Sequence, residues 1–391
     1  MEAYLDNAAS TRTLPEVAQQ MIQIMTEDYG NPSSLHGKGF AAEQYVRRAA
    51  ETIAGTLKVE PGTIVFTSGG TESNNQALIG TALAWQRSGK HIVTTAFEHA
   101  SVAEPLIYLE KQGFEITFLP VERGGRVSPE TLKNALREDT ILVSIMMVNN
   151  EIGVVQDIAA LAETVKEYNP EIRFHTDAIQ AYGKLPLFPK KWNVDLMSVS
   201  GHKFHGPKGT GFLYISSDRG NSKLHPYIHG GHQQKNRRSG TENVPGIAGL
   251  GIAAESACCR LNENYEKVTG LCDCFREQLE QIDGVVIHGR SVSEEPACFS
   301  PYIISIGVQG IKAEVLLHAL EDRDIYVSSG SACSSNHPGI SDTLTAIGVD
   351  RTYLDSTIRV SLSRFTTEEQ LDYTASVLKE LLPTLRRFTK K

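Results

Sequence analysis

The chain has 391 residues, 40% of them hydrophobic and 21% charged, with a formal net charge of −8. That length exceeds what one hydrophobic core usually supports, so one large and one small domain are expected, and the acidic balance argues against direct nucleic-acid binding. No apolar run approaches the roughly 20 residues that span a bilayer, and the opening MEAYLDNAAS lacks both the basic and the apolar region of a secretory signal, so the expectation is a cytoplasmic protein without a membrane anchor.

In chain order, TIVFTS (63–68), HIVTTA (91–96), FEITFLP (114–120), ILVSIMMV (141–148), RFHTDA (173–178), DLMSVS (195–200) and TGFLYIS (210–216) read as strands. Between several of them lie helical patterns with apolar residues three and four apart, such as ESNNQALIGTALAWQRSG (72–89) and DIAALAETVKEYNP (157–170). Strand and helix in this alternation predict an α/β fold: a mostly parallel central sheet with helices on both faces. After about residue 260 the pattern changes to a long helix, the strands VVIHG, YIISIGV and TIRVSLS, and a last helix from TEEQ to LRRF, which predicts a smaller α+β domain.

Six cysteines without a signal indicate reduced thiols. Cys258, Cys259, Cys272 and Cys274 are close in sequence, but an adjacent pair and a one-residue gap do not match zinc-ligand spacing, and the surrounding pattern is helical, so no metal site is expected. Cys333 differs. It sits in SSGSACSS (328–335), followed by the turn chemistry of NHPGISD, so it reads as a loop thiol: incidental, a ligand or a nucleophile.

In an open parallel sheet, ligands gather outside the carboxyl ends of the strands, and three segments stand there. SGGTESNN (68–75) follows a strand and opens a helix, a geometry that serves as an anion cradle or as a tight turn with Thr71 near the cap. HTDAIQ (175–180) ends a buried strand at Asp177, whose carboxylate needs a partner: a structural ion pair or a cationic ring nitrogen. SVSGHKFHGPKG (198–209) carries Lys203 between histidines and small residues; it is a surface lysine or a desolvated Schiff-base nucleophile. A phosphate cradle, a buried aspartate and a strand-end lysine together are the three anchors that pyridoxal phosphate requires.

With YLDNAAS (4–10), NPSSLHGKG (31–39), EHAS (98–101), NNEIG (149–153), RSGTEN (238–243) and IRVSLSRFTTEEQ (358–370) added, the whole chain resembles the cysteine desulfurases of the class-V aminotransferase superfamily. The resemblance implies the fold-type-I architecture of pyridoxal-phosphate enzymes, with a large domain over 16–260 and a small domain formed by 1–15 and 261–391 that carries the Cys333 loop. It implies that Lys203 binds the cofactor's aldehyde carbon, Asp177 faces its ring nitrogen, and His99 stacks on the ring and assists proton transfer. Gly70, Thr71, Ser200 and His202 would hold the phosphate, Asn150 and Gln180 the phenolic side, and Thr241 the phosphate of a neighbouring subunit in a homodimer. Arg359 would clamp the substrate carboxylate, with Asn150 beside it. Cys333 would be the nucleophile that takes sulfur from L-cysteine, leaving L-alanine and a persulfide for acceptor proteins in iron–sulfur cluster assembly or tRNA thiolation. A selenocysteine lyase or another class-V aminotransferase is the alternative within the scaffold. The family's pattern is broken at GGHQQKN (230–236), just before RSGT, which sets apart the geometry of that loop.

Overall fold

The computed structural model describes residues 1–217, 223–289, 298–329 and 341–389. Strand β1 (Ala3–Tyr4) precedes helices α1 (Pro15–Thr26) and α2 (Gly37–Leu57). Strands and helices then alternate through β2 (Ile64–Thr67), α3 (Gly70–Trp85), β3 (His91–Thr95), α4 (Ala100–Lys111), β4 (Glu115–Leu119), α5 (Pro129–Ala135), β5 (Thr140–Ser144), α6 (Ile158–Tyr168) and β6 (Arg173–Asp177). Strands β7 (Leu196–Ser200) and β8 (Gly211–Ile215) complete this part. Helices α7 (Val244–Cys258) and α8 (Leu261–Glu280) lead to β9 (Val285–His288), β10 (Ile303–Val308), α9 (Ala313–Glu321), β11 (Ile325–Tyr326), β12 (Ser328–Ser329), α10 (Asp342–Ala346), β13 (Thr357–Ser361) and α11 (Glu368–Thr389).

Seven strands form one sheet in the order β2-β8-β7-β6-β5-β3-β4. Only β8 runs against its neighbours; the pairs from β7 through β4 are parallel. Alternate residues of each strand go to opposite faces, as the pleat requires. Val93, Val143, Phe174, Phe212 and Tyr214 pack with α1, α2, α6 and α7 on one side. Ile92, Leu142, Val65, Leu213 and Ile215 face α3 and α4 on the other. Helices therefore cover both faces, which is why these strands read as near-continuous apolar runs.

The helix starts follow ordinary capping chemistry. Ser128 and Asp157 accept a backbone N–H three residues on, at α5 and α6, and Asn243 does the same at α7, where a proline occupies the first turn. Of the last five strands, four form a second, antiparallel sheet in the order β12-β13-β10-β9, and the short β11 instead pairs in parallel with β1. The first residues of the chain are thus stitched to its C-terminal part, and a further bridge joins Asp6 to Ser361.

Two details differ from the sequence pattern. The run 141–148 stays buried throughout, but the strand ends at Ser144. Beyond it, Ile145 and Met147 still donate to the carbonyls of His175 and Asp177, while the chain leaves β3 and opens space at the carboxyl ends. SSGSACSS does not begin as a loop: Ser328 and Ser329 form β12, opposite Arg359 and Ile358. Main-chain pairing needs no particular side chain, so serines join the ladder there.

Candidate active site

The cradle lies between β2 and α3. Gly69 has φ +146°, a conformation open only to glycine, and it caps α3 without any side-chain bond to the first-turn N–H groups. Those donors point out of the helix start and suit an anion. The Ser200 hydroxyl lies alongside, 3.6 Å from where a Cβ on Gly69 would stand. Gly70 answers to packing, since a Cβ there would meet Ile179 Cδ1 at 2.2 Å. Thr71 is exposed at the rim. His202 has its pKa pushed down to about 4, chiefly by burial and then by Lys203, so it meets a ligand as a neutral ring.

Asp177 ends β6, 4% exposed. Its carboxylate accepts from the Ile179 N–H at 2.9 Å and from Asn74 Nδ2 at 2.8 Å. Burial pushes its pKa up, against those two bonds and the nearby His99 and Lys203. A cationic ring nitrogen is the partner that would favour its charged form. Asn74 also donates to Ser101 Oγ at 2.9 Å, and Ser101 Oγ lies 2.8 Å from His99 Nδ1. The Ser101 N–H donates to that same nitrogen, so a neutral His99 carries its proton on Nε2. His99 and Asp177, 78 residues apart in sequence, are thereby ends of one hydrogen-bond chain.

Beside it, the Glu98 carboxylate accepts from Thr95 Oγ1 at 2.7 Å and from the Met146 N–H at 2.9 Å. Its other oxygen is buried without a hydrogen-bond partner among the described residues, and burial pushes its pKa up to about 8.

Lys203 Nζ donates to the carbonyls of Ala8 and Ala9 at 2.5 and 2.9 Å. The YLDNAAS segment therefore holds the amine in place. Gln180 Nε2 donates to the same Ala8 carbonyl at 2.9 Å, and its Oε1 accepts from Lys184 at 3.2 Å.

Arg359, in the centre of β13, is 3% exposed. It donates to Asp6 Oδ1 at 3.0 Å and to the Asn150 carbonyl at 2.8 Å, while its Nε has no hydrogen-bond partner among the described residues. Asn150 thus meets Arg359 through its main chain; its neighbour Asn149 braces the turn by accepting from the N–H groups of Glu151 and Ile152. Cys333 lies outside the described residues, as does the rest of 330–340. The ends of that stretch are described, and both adjoin this corner: Ser328 pairs with Arg359, and Ser341 Oγ donates to Glu151 at 2.6 Å.

Thr241 is exposed, on the loop ahead of α7. The unusual GGHQQKN loop has a role of its own. Gln234 accepts from Phe66 N–H at 2.6 Å and donates to Phe66 carbonyl at 2.8 Å, which closes the open edge of β2 as an extra rung would. His232, Gln234, Lys235 and Asn236 all have positive φ, a costly backbone for such residues. Of the two following arginines, Arg238 pairs with Glu72 of α3 at 2.9 Å and Arg237 donates to the Gly62 carbonyl.

Taken together, a helix start with a glycine-only turn and no side-chain cap, a buried acid with no ion pair among the described residues, and a tethered amine fit a phosphorylated, cationic-ring aldehyde such as pyridoxal phosphate. Asn74, Ser101, Glu98, Asp6 and Lys184 were not singled out from the sequence. The first four lie inside the motifs GGTESNN, EHAS and YLDNAAS, so their signal was position within a motif.

Residues 3–374 match the family model described as aminotransferase class-V. A protein of Dictyoglomus turgidum named cysteine desulfurase IscS is 45% identical over 386 residues, covering 98% of this chain and 95% of that protein. Among solved structures, a NifS-like protein superposes with a TM-score of 0.91 at 38% identity, covering 98% of this chain and all 100% of that one. SspA in complex with cysteine matches with a TM-score of 0.80 at 33% identity, covering 93% of this chain and 100% of its own.

Proposed function

This chain belongs to the class-V aminotransferase family, and on that premise we propose that it is a pyridoxal-phosphate-dependent cysteine desulfurase that forms L-alanine and a persulfide on Cys333. The observation that carries this reading is the convergence, at the carboxyl ends of the strands, of the Asp177–Asn74–Ser101–His99 chain with Lys203. The cofactor, when bound, supplies a sink for the electron pair released at the substrate Cα. Lys203 would hold the cofactor's aldehyde carbon and, once released from it, would take the Cα proton on Nζ. Asp177 would keep the ring nitrogen protonated. Gly70, Thr71, Ser200 and His202 would hold the phosphate, joined by Thr241 of a second copy in a homodimer. Arg359 binds the substrate carboxylate, with Asn150 and Gln180 bounding the site.

The thiolate of Cys333 attacks the substrate sulfur: the new S–S bond forms, the carbon–sulfur bond breaks, that carbon keeps the pair and takes a proton relayed by His99, and Lys203 returns its proton to Cα to complete L-alanine. The relatives' names and the cysteine complex of SspA support cysteine as substrate. A large domain over 16–260 and a small domain from 1–15 and 261–391 follow the division of the strands into two main sheets. The acceptors are cluster-assembly or tRNA-thiolation proteins. The described cysteines are free thiols, which suits the cytoplasm, and no helix among the described residues is long and apolar enough to cross a membrane.

The test uses purified, cofactor-loaded protein with L-cysteine and a reductant, measuring sulfide and alanine together. Wild type should release both in equal amounts and Cys333→Ala neither. Sulfide release by Cys333→Ala at the wild-type rate would remove Cys333 from the reaction.

A further inference from the structure

Lys184 is a buried lysine, 6% exposed, with no ion pair to an acid among the described residues. The turn that follows Asp177 places it there: the Tyr182 N–H donates to the Ala178 carbonyl and the Lys184 N–H to the Ala181 carbonyl. Its ammonium then reaches Gln180 Oε1 at 3.2 Å and lies 5.6 Å from the centre of the Tyr302 ring. Gln180 passes the contact on, since its Nε2 donates to the Ala8 carbonyl that also accepts from Lys203. Lys184, Gln180, the Ala8 carbonyl and Lys203 thus form a single hydrogen-bonded series.

The charges around Lys184 are of its own sign. Lys203 and Arg359 both act on it, and it acts in turn on His202 and His205. The carboxylate of Asp6 is paired with Arg359 rather than with Lys184. An unpaired buried cation is costly, and like charges disfavour one another's protonated forms. Accordingly, burial first and then Lys203 and Arg359 bring the Lys184 pKa down to about 7. An anionic ligand entering the site would favour the ammonium form again, and the coupling to Lys203 is reciprocal.

We propose that Lys184 is a positioning residue for the cofactor site: it orients the Gln180 amide toward the cofactor's phenolic side and, as an ammonium, makes the neighbouring Lys203 nitrogen easier to deprotonate. This rests on the proposed roles of Lys203 and Gln180. It explains why a cation sits in this position without an acid: the compensating charge arrives with the ligand.

The experiment is a pH titration of the yellow absorbance of the cofactor-loaded protein, for wild type and for Lys184→Met, Lys184→Gln and Lys184→Arg. Loss of the positive neighbour should move the pH of half-loss of the yellow band upward, by about one unit in Lys184→Met. Lys184→Arg, which keeps the charge, should titrate at or near the wild-type pH. Lys184→Gln removes the charge but leaves a polar end for Gln180, so it gives the same readout where the Met variant does not fold. A folded, loaded Met or Gln variant titrating at the wild-type pH overturns the proposal. A yellow band of wild-type position that persists in Lys203→Ala would instead overturn the Lys203 assignment, so the two failures are distinguishable.

Discussion

Replacing Asn74 with leucine removes the amide between Ser101 and Asp177 while keeping similar bulk. Two bonds from Nδ2 are lost, at 2.9 Å to Ser101 Oγ and at 2.8 Å to Asp177 Oδ2. The neutral bond is worth about 0.5–1.5 kcal/mol and the one to a charged group about 1.5–3 kcal/mol. Against this, Asn74 Oδ1 is itself buried without a hydrogen-bond partner among the described residues, and its removal relieves about 1–3 kcal/mol. The cofactor-free protein should therefore lose only about 1–2 kcal/mol of stability. Cofactor binding should suffer more, because the carboxylate meant for the ring nitrogen keeps a single backbone donor, Ile179 N–H. A loss of about 1.5–3 kcal/mol there corresponds to roughly ten- to a hundredfold weaker retention. Urea unfolding of the cofactor-free protein measures the first quantity, and absorbance after dialysis against falling cofactor concentration measures the second. Wild-type retention in a folded Asn74→Leu protein would refute the reasoning, since Asp177 would then owe nothing to the chain that links it to His99.

Other outcomes follow from the same geometry. Gly70→Ala should destabilise the protein by about 1–3 kcal/mol, because the new methyl meets Ile179 Cδ1 at 2.2 Å; adding Ile179→Ala should recover part of that loss in urea unfolding, and no recovery would place the strain elsewhere. For Glu98, a folded pKa of about 8 against an ordinary 4.5 means that the folded state holds the extra proton between those values. Stability contributed by the protonated form is full below pH 4.5 and is lost as pH rises toward 8, at roughly 1.4 kcal/mol per unit. Glu98→Gln cannot ionise, so its stability relative to wild type should rise from pH 5 to pH 8; parallel curves would show that Glu98 titrates normally. Arg359→Lys should raise KM for L-cysteine at least tenfold, because one ammonium cannot hold Asp6, the Asn150 carbonyl and a carboxylate together; an unchanged KM would assign Arg359 to structure alone.

Much of this molecule was legible as pattern. The seven runs from TIVFTS to TGFLYIS became the seven strands of one sheet; all but β4 are buried along their whole length, which favours near-continuous apolar runs. The chemistry-bearing residues were legible where a strand ends and a turn begins, as with Asp177 and Lys203. The local pattern was silent where a residue's work depends on a distant partner. Asn74 is one of several polar residues in a helix start, and nothing in the neighbours of Lys184, two residues before a proline, sets it apart. Nothing near Asp6 in the sequence announces that it meets Arg359, 353 positions away.

Periodicity, breakers and motif order were enough for the class of the fold and the direction of its sheet, because these follow from side-chain alternation, and they drew attention to the three strand-end segments 68–75, 175–180 and 198–209. Tertiary folding decided the pairings. It brought Ala8 and Ala9 to Lys203, set Arg359 between Asp6 and the Asn150 carbonyl, and buried Lys184 among cations. Those contacts depend on how two sheets and the first ten residues pack against one another, and burial and distance between remote segments have no local signature in the chain.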